Sequence, residues 1–258
     1  MRRAFTRSVS PRIAECALTH LKRQPIDAAR AAKQHSAYER ALANAGFEII
    51  RLPDLADDPD AVFVEDTAIL LGDHAVITRP GAASRAGEAD HAARDLAPYF
   101  TVHRLDSGTL DGGDVLRIGR TLHVGLSSRT DAAGAEALRG IAAPLGYEVV
   151  TVQARQCLHL KSAVTLAGKD GSGTPRILVN PDWVDPAAFA DVQPIPTDEA
   201  AAANCLRAGD KLILPAGNPR TAAELRRLAY DLVEIDVSEL QKAEAGVTCM
   251  SLIDDQGP

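Results

Sequence analysis

Apolar residues recur along this chain with two alternating periods. Ala-rich stretches with helical spacing, such as "AARAAKQHSAYERALANAG" and "DAAGAEALRGIAAPLG", are each followed by a short run rich in β-branched residues that opens on an aromatic residue. These runs begin at Phe47, Tyr99, Tyr147, Phe189 and Tyr230, of which the run at Phe189 is the weakest case. The starting points lie 52, 48, 42 and 41 residues apart, which predicts a helix followed by a strand, five times over.

A second kind of segment lies between these units and has the pattern of two strands joined by a tight turn. "VEDTAILLGDHAVITRP", "GDVLRIGRTLHVGLS" and "NCLRAGDKLILPAG" each carry a glycine where the turn falls, at Gly72, Gly119 and Gly209. Glycine suits such turns because it adopts positive φ without strain. "LHLKSAVTLAGKDGSGTPRILVN" repeats the theme with a longer tip. The predicted unit is therefore strand, strand, helix, strand.

The last unit is incomplete at the C-terminal end, where "VTCMSLI" supplies one strand. The missing strands and helix are found at the other end, in "RRAFTRSVS", the helix after Asp27 and "FEIIRL". A unit divided between both ends is expected of a closed ring, because pairing the terminal segments removes exposed sheet edges. We predict one α/β domain over residues 1–258, a five-bladed α/β propeller closed by its N- and C-terminal segments. An ordinary open α/β sheet is the alternative.

Composition narrows the functional classes. Hydrophobic residues make up 46% of the chain, enough for a buried core, and the net charge of -7 argues against a nucleic-acid surface or a basic membrane-binding patch. The acidity would suit a cationic small molecule, although ordinary solubility is the better explanation of this charge taken alone. The four cysteines form no C-x-x-C pair, and no apolar run approaches the roughly 18 residues of a membrane span. We expect a reduced, cytoplasmic protein.

Each repeat carries a polar or reactive residue at the point where a loop leads into the next strand pair. These residues are Asp66, Asp111 with Asp114, His159, Asn204 and Cys249. A five-fold ring would bring them around one axial pocket although they are far apart in sequence. A cysteine, a histidine and an acid at one site can act as nucleophile, proton-transfer group and orienting carboxylate. With Glu65 beside Asp66 the pocket would be strongly negative, which favours a planar cation such as a guanidinium.

Each of these residues also has a simpler interpretation. A cysteine in an apolar strand is usually a packing residue, and His159 could be a hydrogen-bonded strand histidine. Cys157 and His159 form a C-x-H pair, but a metal site needs three or four ligands and the sequence offers no partners. "DGGD" could be a glycine-rich turn. The equivalent placement within the repeats, rather than any single motif, supports a shared site.

Five motifs in order, "FVEDTAI", "TLDGGDVL", "LHLKS", "AANC" and "GVTCMSL", resemble those of the dimethylarginine dimethylaminohydrolase family. This family belongs to the guanidino-group-modifying (pentein) superfamily of five-bladed α/β propellers. The resemblance extends over nearly the whole chain. It implies that Cys249 is the nucleophile, His159 the general acid and base, and Asp111 the third member of the triad. The acid equivalent to Asp111 is Glu in some relatives, one methylene longer.

The resemblance also implies a set of substrate-binding residues. Asp66, with Glu65 nearby, would bind the guanidinium group. Arg85 in "SRAGE" and Arg129 in "SSRT" would hold the substrate's α-carboxylate. Leu18 would lie in a lid over the pocket, within a loop at residues 14–27, and Asp60 would lie at the margin of that lid.

The implied reaction converts dimethylarginine or monomethylarginine to citrulline through a covalent S-alkylthiouronium on the cysteine. It needs no metal and no other cofactor. The partner is a small-molecule methylated arginine, with no nucleic acid or membrane involved, and a homodimer is a possible assembly.

Two alternatives remain: a deiminase acting on arginine or a hydrolase of another guanidine, and a non-catalytic binding protein. Arginine deiminases carry a second acid two residues after the histidine, where this chain has Lys161, and they have an extra helical domain, so a methylated arginine is favoured over arginine. The superfamily also includes a non-catalytic propeller that binds a partner, but there the cysteine, histidine and acid set should be broken, and it is intact here.

Overall fold

The computed structural model describes residues 2–255, so Met1 and residues 256–258 of the predicted domain lie outside the described residues. Within 2–255 the chain forms fifteen strands: β1 (Arg3–Thr6), β2 (Glu48–Arg51), β3 (Ala68–Leu71), β4 (His74–Ile77), β5 (Thr101–Arg104), β6 (Val115–Ile118), β7 (Thr121–Leu126), β8 (Glu148–Gln153), β9 (Val164–Lys169), β10 (Pro175–Val179), β11 (Gln193–Pro196), β12 (Leu206–Ala208), β13 (Lys211–Pro215), β14 (Asp231–Ile235) and β15 (Leu252–Asp254). The same range holds six α-helices: α1 (Ala28–Asn44), α2 (Glu88–Leu96), α3 (Ala132–Ala142), α4 (Leu160–Ala163), α5 (Pro219–Arg227) and α6 (Ser238–Gln241).

The strands form five three-stranded sheets, as the repeat predicts. Their orders are β15-β1-β2, β3-β4-β5, β6-β7-β8, β9-β10-β11 and β12-β13-β14. In every sheet the first pair is antiparallel and the second pair is parallel. The parallel pair needs a crossover connection, which a helix supplies before the last strand in four of the five units.

One sheet is assembled from both ends of the chain. Strand β1 pairs antiparallel with β15, with Ala4 opposite Ile253, and parallel with β2, with Ala4 opposite Ile49. Both edges of β1 are therefore hydrogen-bonded, which leaves no free edge on the N-terminal strand. This pairing confirms the prediction that the N- and C-terminal segments share one unit.

Five apolar clusters lie between neighbouring sheets. Each cluster contains residues from two neighbouring sheets. The five pairs that illustrate this are Leu71 with Val124, Leu116 with Ile177, Leu178 with Leu212, Ile213 with Ala4, and Phe5 with Ile77. The packing is thus continuous around all five sheets, in agreement with a five-bladed α/β propeller. No helix within residues 2–255 has the length and apolar character needed to cross a membrane.

The sheet β9-β10-β11 departs from the predicted unit. Helices α1, α2, α3 and α5 connect the second and third strands of the other four sheets, but here the connection contains a short 3-10 turn, Pro186–Ala188. Pro181 and Pro186 interrupt this segment, and proline removes a backbone donor and restricts the residue before it. Phe189 then packs in the cluster between this sheet and β6-β7-β8, in place of a helix.

Candidate active site

The predicted reactive residues converge where loops lead into the first strand of each sheet. Asp66 lies in the 3-10 turn Val64–Thr67 before β3, and Asp111 directly precedes the turn Gly112–Asp114 before β6. His159 directly precedes α4, and Cys249 lies shortly before β15. Asp66, His159 and Cys249 line one cavity of about 20 Å³. That space holds little more than a water molecule, so an arginine-sized ligand requires the lining to move outward.

His159 is held between two carboxylates. Its Nε2 lies 3.0 Å from Oδ2 of Asp111, and its Nδ1 lies 3.7 Å from Oδ1 of Asp66. Burial alone would lower the pKa of His159, but the charge of Asp66, the hydrogen bond with Asp111 and the charge of Asp114 raise it to about 9. The imidazole is therefore protonated at neutral pH and can donate a proton.

Asp111 is itself oriented by fixed groups. Its side chain has no solvent exposure, and its Oδ1 accepts a hydrogen bond of 2.8 Å from the backbone N–H of Gly81. Its own backbone N–H donates to Oγ1 of Thr130, and Nη1 of Arg129 lies 3.7 Å from its Oδ2. The shorter aspartate therefore reaches His159 without the additional methylene of glutamate.

The two glycines of "DGGD" allow this close approach. A Cβ added to Gly113 would lie 2.6 Å from Nδ1 of His159 and 2.7 Å from Oδ1 of Asp66. A Cβ added to Gly112 would lie 2.0 Å from the backbone oxygen of Glu65. All three distances are too short for a side chain to fit unless its neighbours shift, and the backbone N–H of Gly113 donates to Oδ1 of Asp66 at 3.1 Å. The site therefore requires glycine at both positions, because neighbouring groups pack directly against the backbone there, and the motif is more than a turn.

Cys249 is half-buried, and its sulfur accepts a hydrogen bond of 3.3 Å from the backbone N–H of Gly246. Burial and the negative charges of Glu65 and Asp66 raise the pKa of the Cys249 thiol to about 12. The cysteine therefore rests as a thiol near neutral pH. A cation placed between Cys249 and the carboxylates would favour the thiolate.

A modification experiment tests this resting state. The rate at which neutral 2-chloroacetamide alkylates Cys249 should be low at pH 7 and rise about tenfold per pH unit up to pH 9, because only the thiolate reacts. At equal pH, cationic 2-chloroacetamidine should react faster, since Asp66 and Glu65 attract it. Peptide mapping by mass spectrometry measures the rates at Cys249 alone. A rate at Cys249 that does not change between pH 6 and 8 would contradict the raised pKa.

Asp66 is ionised and tied to a buried arginine. Burial would raise the pKa of Asp66, but the charges of His159 and Arg85 lower it below its usual range. Nη1 of Arg85 lies 2.5 Å from Oδ2 of Asp66, and its other nitrogens donate to Glu88 and to the backbone oxygen of Phe63. Arg85 lines the cavity, but its guanidinium is already engaged by carboxylates.

Arg129 and Asp60, which also line the cavity, contact the predicted lid. Nη2 of Arg129 donates to Oγ1 of Thr19 at 3.0 Å, and Asp60 accepts a hydrogen bond of 3.0 Å from the backbone N–H of Ala17. Burial raises the pKa of Asp60. Ala17 lines the cavity, whereas Leu18 packs against the apolar cluster that Cys249 also contacts.

One carboxylate holds three successive residues of the loop over the cavity. Glu244 accepts hydrogen bonds from the backbone N–H groups of Thr19, His20 and Leu21, and it also lines the cavity. Glu244 was not among the residues predicted from the sequence. Its signal was weak, since "KAEAG" is an ordinary polar segment before the cysteine strand.

Glu65 lies on a different side of the site from the other predicted acids. It borders a second cavity of about 230 Å³, together with Lys161 and Thr248, and it does not border the cavity that contains Cys249. Its Oε1 accepts a hydrogen bond of 2.5 Å from Nζ of Lys161, and its Oε2 accepts one of 2.7 Å from Oγ1 of Thr248. Both of its oxygens are therefore occupied by protein partners.

Asp114, the second acid of "DGGD", orients the histidine segment. Its Oδ1 accepts a hydrogen bond of 2.8 Å from the backbone N–H of Leu160, which follows His159. Its Oδ2 accepts from the hydroxyls of Ser127 and Thr130. Asp114 was predicted from the sequence to lie at the same repeat position as Asp111, but without a role of its own.

Asp66, Asp111 and His159 also offer three ligand atoms within 4.8 Å of one another, which a metal ion could use. In this arrangement His159 with its pKa of about 9 and the Arg85 guanidinium already supply the positive charge that the two carboxylates require. The chemistry of the set therefore suits proton transfer.

A family model and a sequence relative that match this chain belong to the same family. The family model for eukaryotic N,N dimethylarginine dimethylhydrolase matches residues 18–169. The N(G),N(G)-dimethylarginine dimethylaminohydrolase of Streptomyces coelicolor is 41% identical over 253 residues, which is 97% of this chain and 96% of the relative.

Two solved structures share the fold over almost the full length. The enzyme from Pseudomonas aeruginosa, a cysteine-to-serine variant complexed with citrulline, has a TM-score of 0.90 at 33% identity and covers 98% of both chains. A dimethylarginine dimethylaminohydrolase with histidine replaced by glycine, solved as an adduct with S-methyl-L-thiocitrulline, has a TM-score of 0.89 at 34% identity over 98% of this chain and 100% of the other.

Proposed function

The chain belongs to the dimethylarginine dimethylaminohydrolase family, and from this premise we propose that it hydrolyses Nω,Nω-dimethyl-L-arginine and Nω-methyl-L-arginine to L-citrulline and the corresponding methylamine. It is an enzyme with a cysteine nucleophile. The observation that carries the proposal is the cavity in which Cys249, the protonated His159 and the ionised Asp66 meet, with Asp111 fixed behind the histidine.

The first half-reaction forms a bond between the sulfur and the guanidinium carbon. As the cationic substrate binds beside Asp66, the Cys249 thiol releases its proton to solvent and the thiolate attacks that carbon. His159 donates its proton to the departing nitrogen, the C–N bond breaks, and dimethylamine leaves. The product of this step is an S-alkylthiouronium on Cys249 that carries one positive charge, and His159 is left neutral.

The second half-reaction removes the citrulline. Neutral His159 takes a proton from water, the hydroxide oxygen bonds to the thiouronium carbon, and the C–S bond breaks with its electron pair returning to sulfur. Loss of the hydroxyl proton to solvent gives the neutral ureido group of citrulline. Asp111 holds the imidazole in position and stabilises its protonated form in both steps.

For the remaining predicted residues, we propose that Asp66 binds the guanidinium and that Arg85 and Arg129 face the substrate's α-carboxylate. The loop that contains Leu18 would close over them, with Asp60 at its margin. Support comes from the cavity lining, which includes both arginines and Asp60. For Glu65 we propose an indirect part, through its charge on Cys249 rather than through contact with substrate.

Methylated arginine is favoured over arginine by the surroundings of Lys161. This residue occupies the position where arginine deiminases carry a second acid, and its ammonium group extends to Glu65. It therefore adds no acceptor to the cavity with Cys249. A nitrogen that carries two methyl groups has no N–H to donate, so an acceptor placed beside it would lack a hydrogen-bond donor. A buried polar group without a partner costs free energy and would weaken binding of the methylated substrate.

Steady-state kinetics test the assignment. We expect kcat/KM for dimethylarginine to exceed that for arginine by about 10²-fold, because one missing acceptor and a space for methyl groups act in the same direction. Citrulline is measured in both cases, with dimethylamine and ammonia as the second products. A preference for arginine would instead identify a deiminase, and the absence of turnover with any guanidine would favour a binding protein.

The single domain, the homodimer and the cytoplasmic location stay predictions, as does the lack of any cofactor or of a nucleic-acid or membrane partner. The cytoplasmic location is supported by the four cysteines, all of which are free. Size-exclusion chromatography with light scattering tests the homodimer.

A further inference from the structure

Asn204 is a buried side chain that the catalytic proposal leaves without a role. It lies between β11 and β12 and is 5% exposed. It occupies the repeat position that carries Asp66, Asp111, His159 and Cys249 in the other units. A buried amide in the ring of catalytic positions calls for a physical explanation.

The orientation of the Asn204 amide is determined by backbone groups. Its Nδ2 donates to the backbone oxygen of Lys161 at 2.9 Å, and its Oδ1 accepts from the backbone N–H of Thr248 at 3.1 Å. A backbone oxygen can only accept and a backbone N–H can only donate, so one orientation satisfies both partners. The Nδ2 group also donates to Oγ1 of Thr248 at 3.0 Å.

These partners adjoin two catalytic residues. Lys161 follows His159 by two positions, and Thr248 directly precedes Cys249. The hydrogen bonds continue into the unit that carries Asp66, because Thr248 and Lys161 both donate to Glu65. Asn204 thus closes a ring of hydrogen bonds that joins the segments of the histidine, the cysteine and the guanidinium-binding acid.

The same amide packs against the group that contacts the nucleophile. A Cβ added to Gly246 would lie 2.2 Å from Oδ1 of Asn204, so the glycine backbone rests directly on the amide. The N–H of Gly246 in turn donates to the sulfur of Cys249. A shift of the Asn204 side chain would therefore move the groups on both sides of the thiol.

We propose that Asn204 is a positioning residue that sets the placement of Cys249 relative to His159, an inference that rests on the proposed hydrolase function. The amide touches neither of these side chains and acts through Lys161, Thr248 and Gly246. Its effect should appear in the chemical steps, whereas substrate binding, which depends on other residues, should change little.

The test compares Asn204→Ala with Asn218→Ala. Asn218 is also 5% exposed, and its Nδ2 donates to the backbone oxygen of Pro215 at 2.8 Å in a loop away from the cavity. We expect Asn204→Ala to lower kcat for dimethylarginine about 10²-fold with KM within threefold, since small misplacements of reacting groups have effects of that size. Asn218→Ala should lower the melting temperature while leaving kcat unchanged.

A second variant covers the case in which Asn204→Ala does not fold. Thr248→Val keeps the backbone N–H that donates a hydrogen bond to Oδ1 of Asn204. It removes the hydroxyl that links Asn204 to Glu65. It should lower kcat about tenfold, again with KM little changed. A kcat within threefold of the parent chain in Asn204→Ala, or in Thr248→Val where the first variant does not fold, would overturn the positioning role.

Alkylation of Cys249 by 2-chloroacetamidine separates this inference from the function itself. We expect the rate to fall about tenfold in Asn204→Ala and to stay unchanged in Asn218→Ala, because the sulfur and its surroundings move in the first variant alone. If the parent chain forms no citrulline from dimethylarginine, the proposed function fails, and this rate still decides the role of Asn204. Equal alkylation rates in the parent chain and in Asn204→Ala would contradict the inference.

Discussion

Replacement of Cys249 by serine is expected to lower the rate of citrulline formation from dimethylarginine by about 10⁴-fold or more. The sulfur forms the bond to the guanidinium carbon, and a serine hydroxyl at the same place is a far weaker nucleophile that no neighbouring base activates. His159 is already protonated, since its pKa is about 9, so it cannot remove a hydroxyl proton at neutral pH. Initial rates of citrulline formation measure the effect.

Cys205→Ser is the matched control for this variant. Cys205 is also a free cysteine, it is 1% exposed, and it directly precedes β12, where its sulfur contacts Oγ1 of Thr165. The control should keep the catalytic rate even if it loses some stability. Acid quenching of the parent chain during turnover should trap an adduct on Cys249 with the mass of the substrate less dimethylamine. Substantial activity in Cys249→Ser, or an adduct on another residue, would disprove the covalent scheme.

Replacement of His159 by glycine is expected to lower turnover by about 10³- to 10⁴-fold, because one imidazole serves as acid in the first half-reaction and as base in the second. The defect should depend on the leaving group. An arginine analogue with an S-alkyl group in place of the dimethylamino nitrogen expels a thiolate, which needs no proton. In His159→Gly this analogue should form the adduct on Cys249 at a useful rate and then stop, since no base activates water.

Mass spectrometry of the intact chain and citrulline release measure the two steps separately. Equal loss of both steps with the S-alkyl analogue would show that the variant disrupts the site as a whole and not proton transfer. NMR titration of the His159 ring provides an independent check, with an expected pKa of about 9. Asp111→Asn removes the negative charge of the carboxylate that accepts a hydrogen bond from Nε2 of His159. The pKa of His159 should therefore fall in that variant.

Several elements followed from local pattern alone. The aromatic-led strands and Ala-rich helices recur because each unit must bury one face against its neighbours, which leaves the same apolar spacing in every repeat. The assembly of one sheet from both termini was also predictable, because "VTCMSLI" by itself completes no unit. The absence of a helix between β10 and β11 did not follow from the repeat rule, because Pro181 and Pro186 interrupt that connection and it holds only a 3-10 turn.

The sequence alone did not reveal which groups the charged residues of the site contact. Arg85 is predicted as a substrate ligand, yet its guanidinium is held by Asp66 and Glu88. Glu65 stands beside Asp66 in sequence but points to Lys161 and a second cavity. Adjacent residues in a 3-10 turn project in different directions, so one acid can face the thiol while its neighbour faces away.

The sequence by itself therefore determined the residue types of the site, their order in the repeats and the ring that brings them together. Only the tertiary structure decided the electrostatic state of each group. The pKa of about 9 at His159 and of about 12 at Cys249 arise from burial and from carboxylates that lie 45 to 184 residues away along the chain. Such interactions depend on distance and solvent exclusion in three dimensions, and no local pattern of residues encodes either quantity.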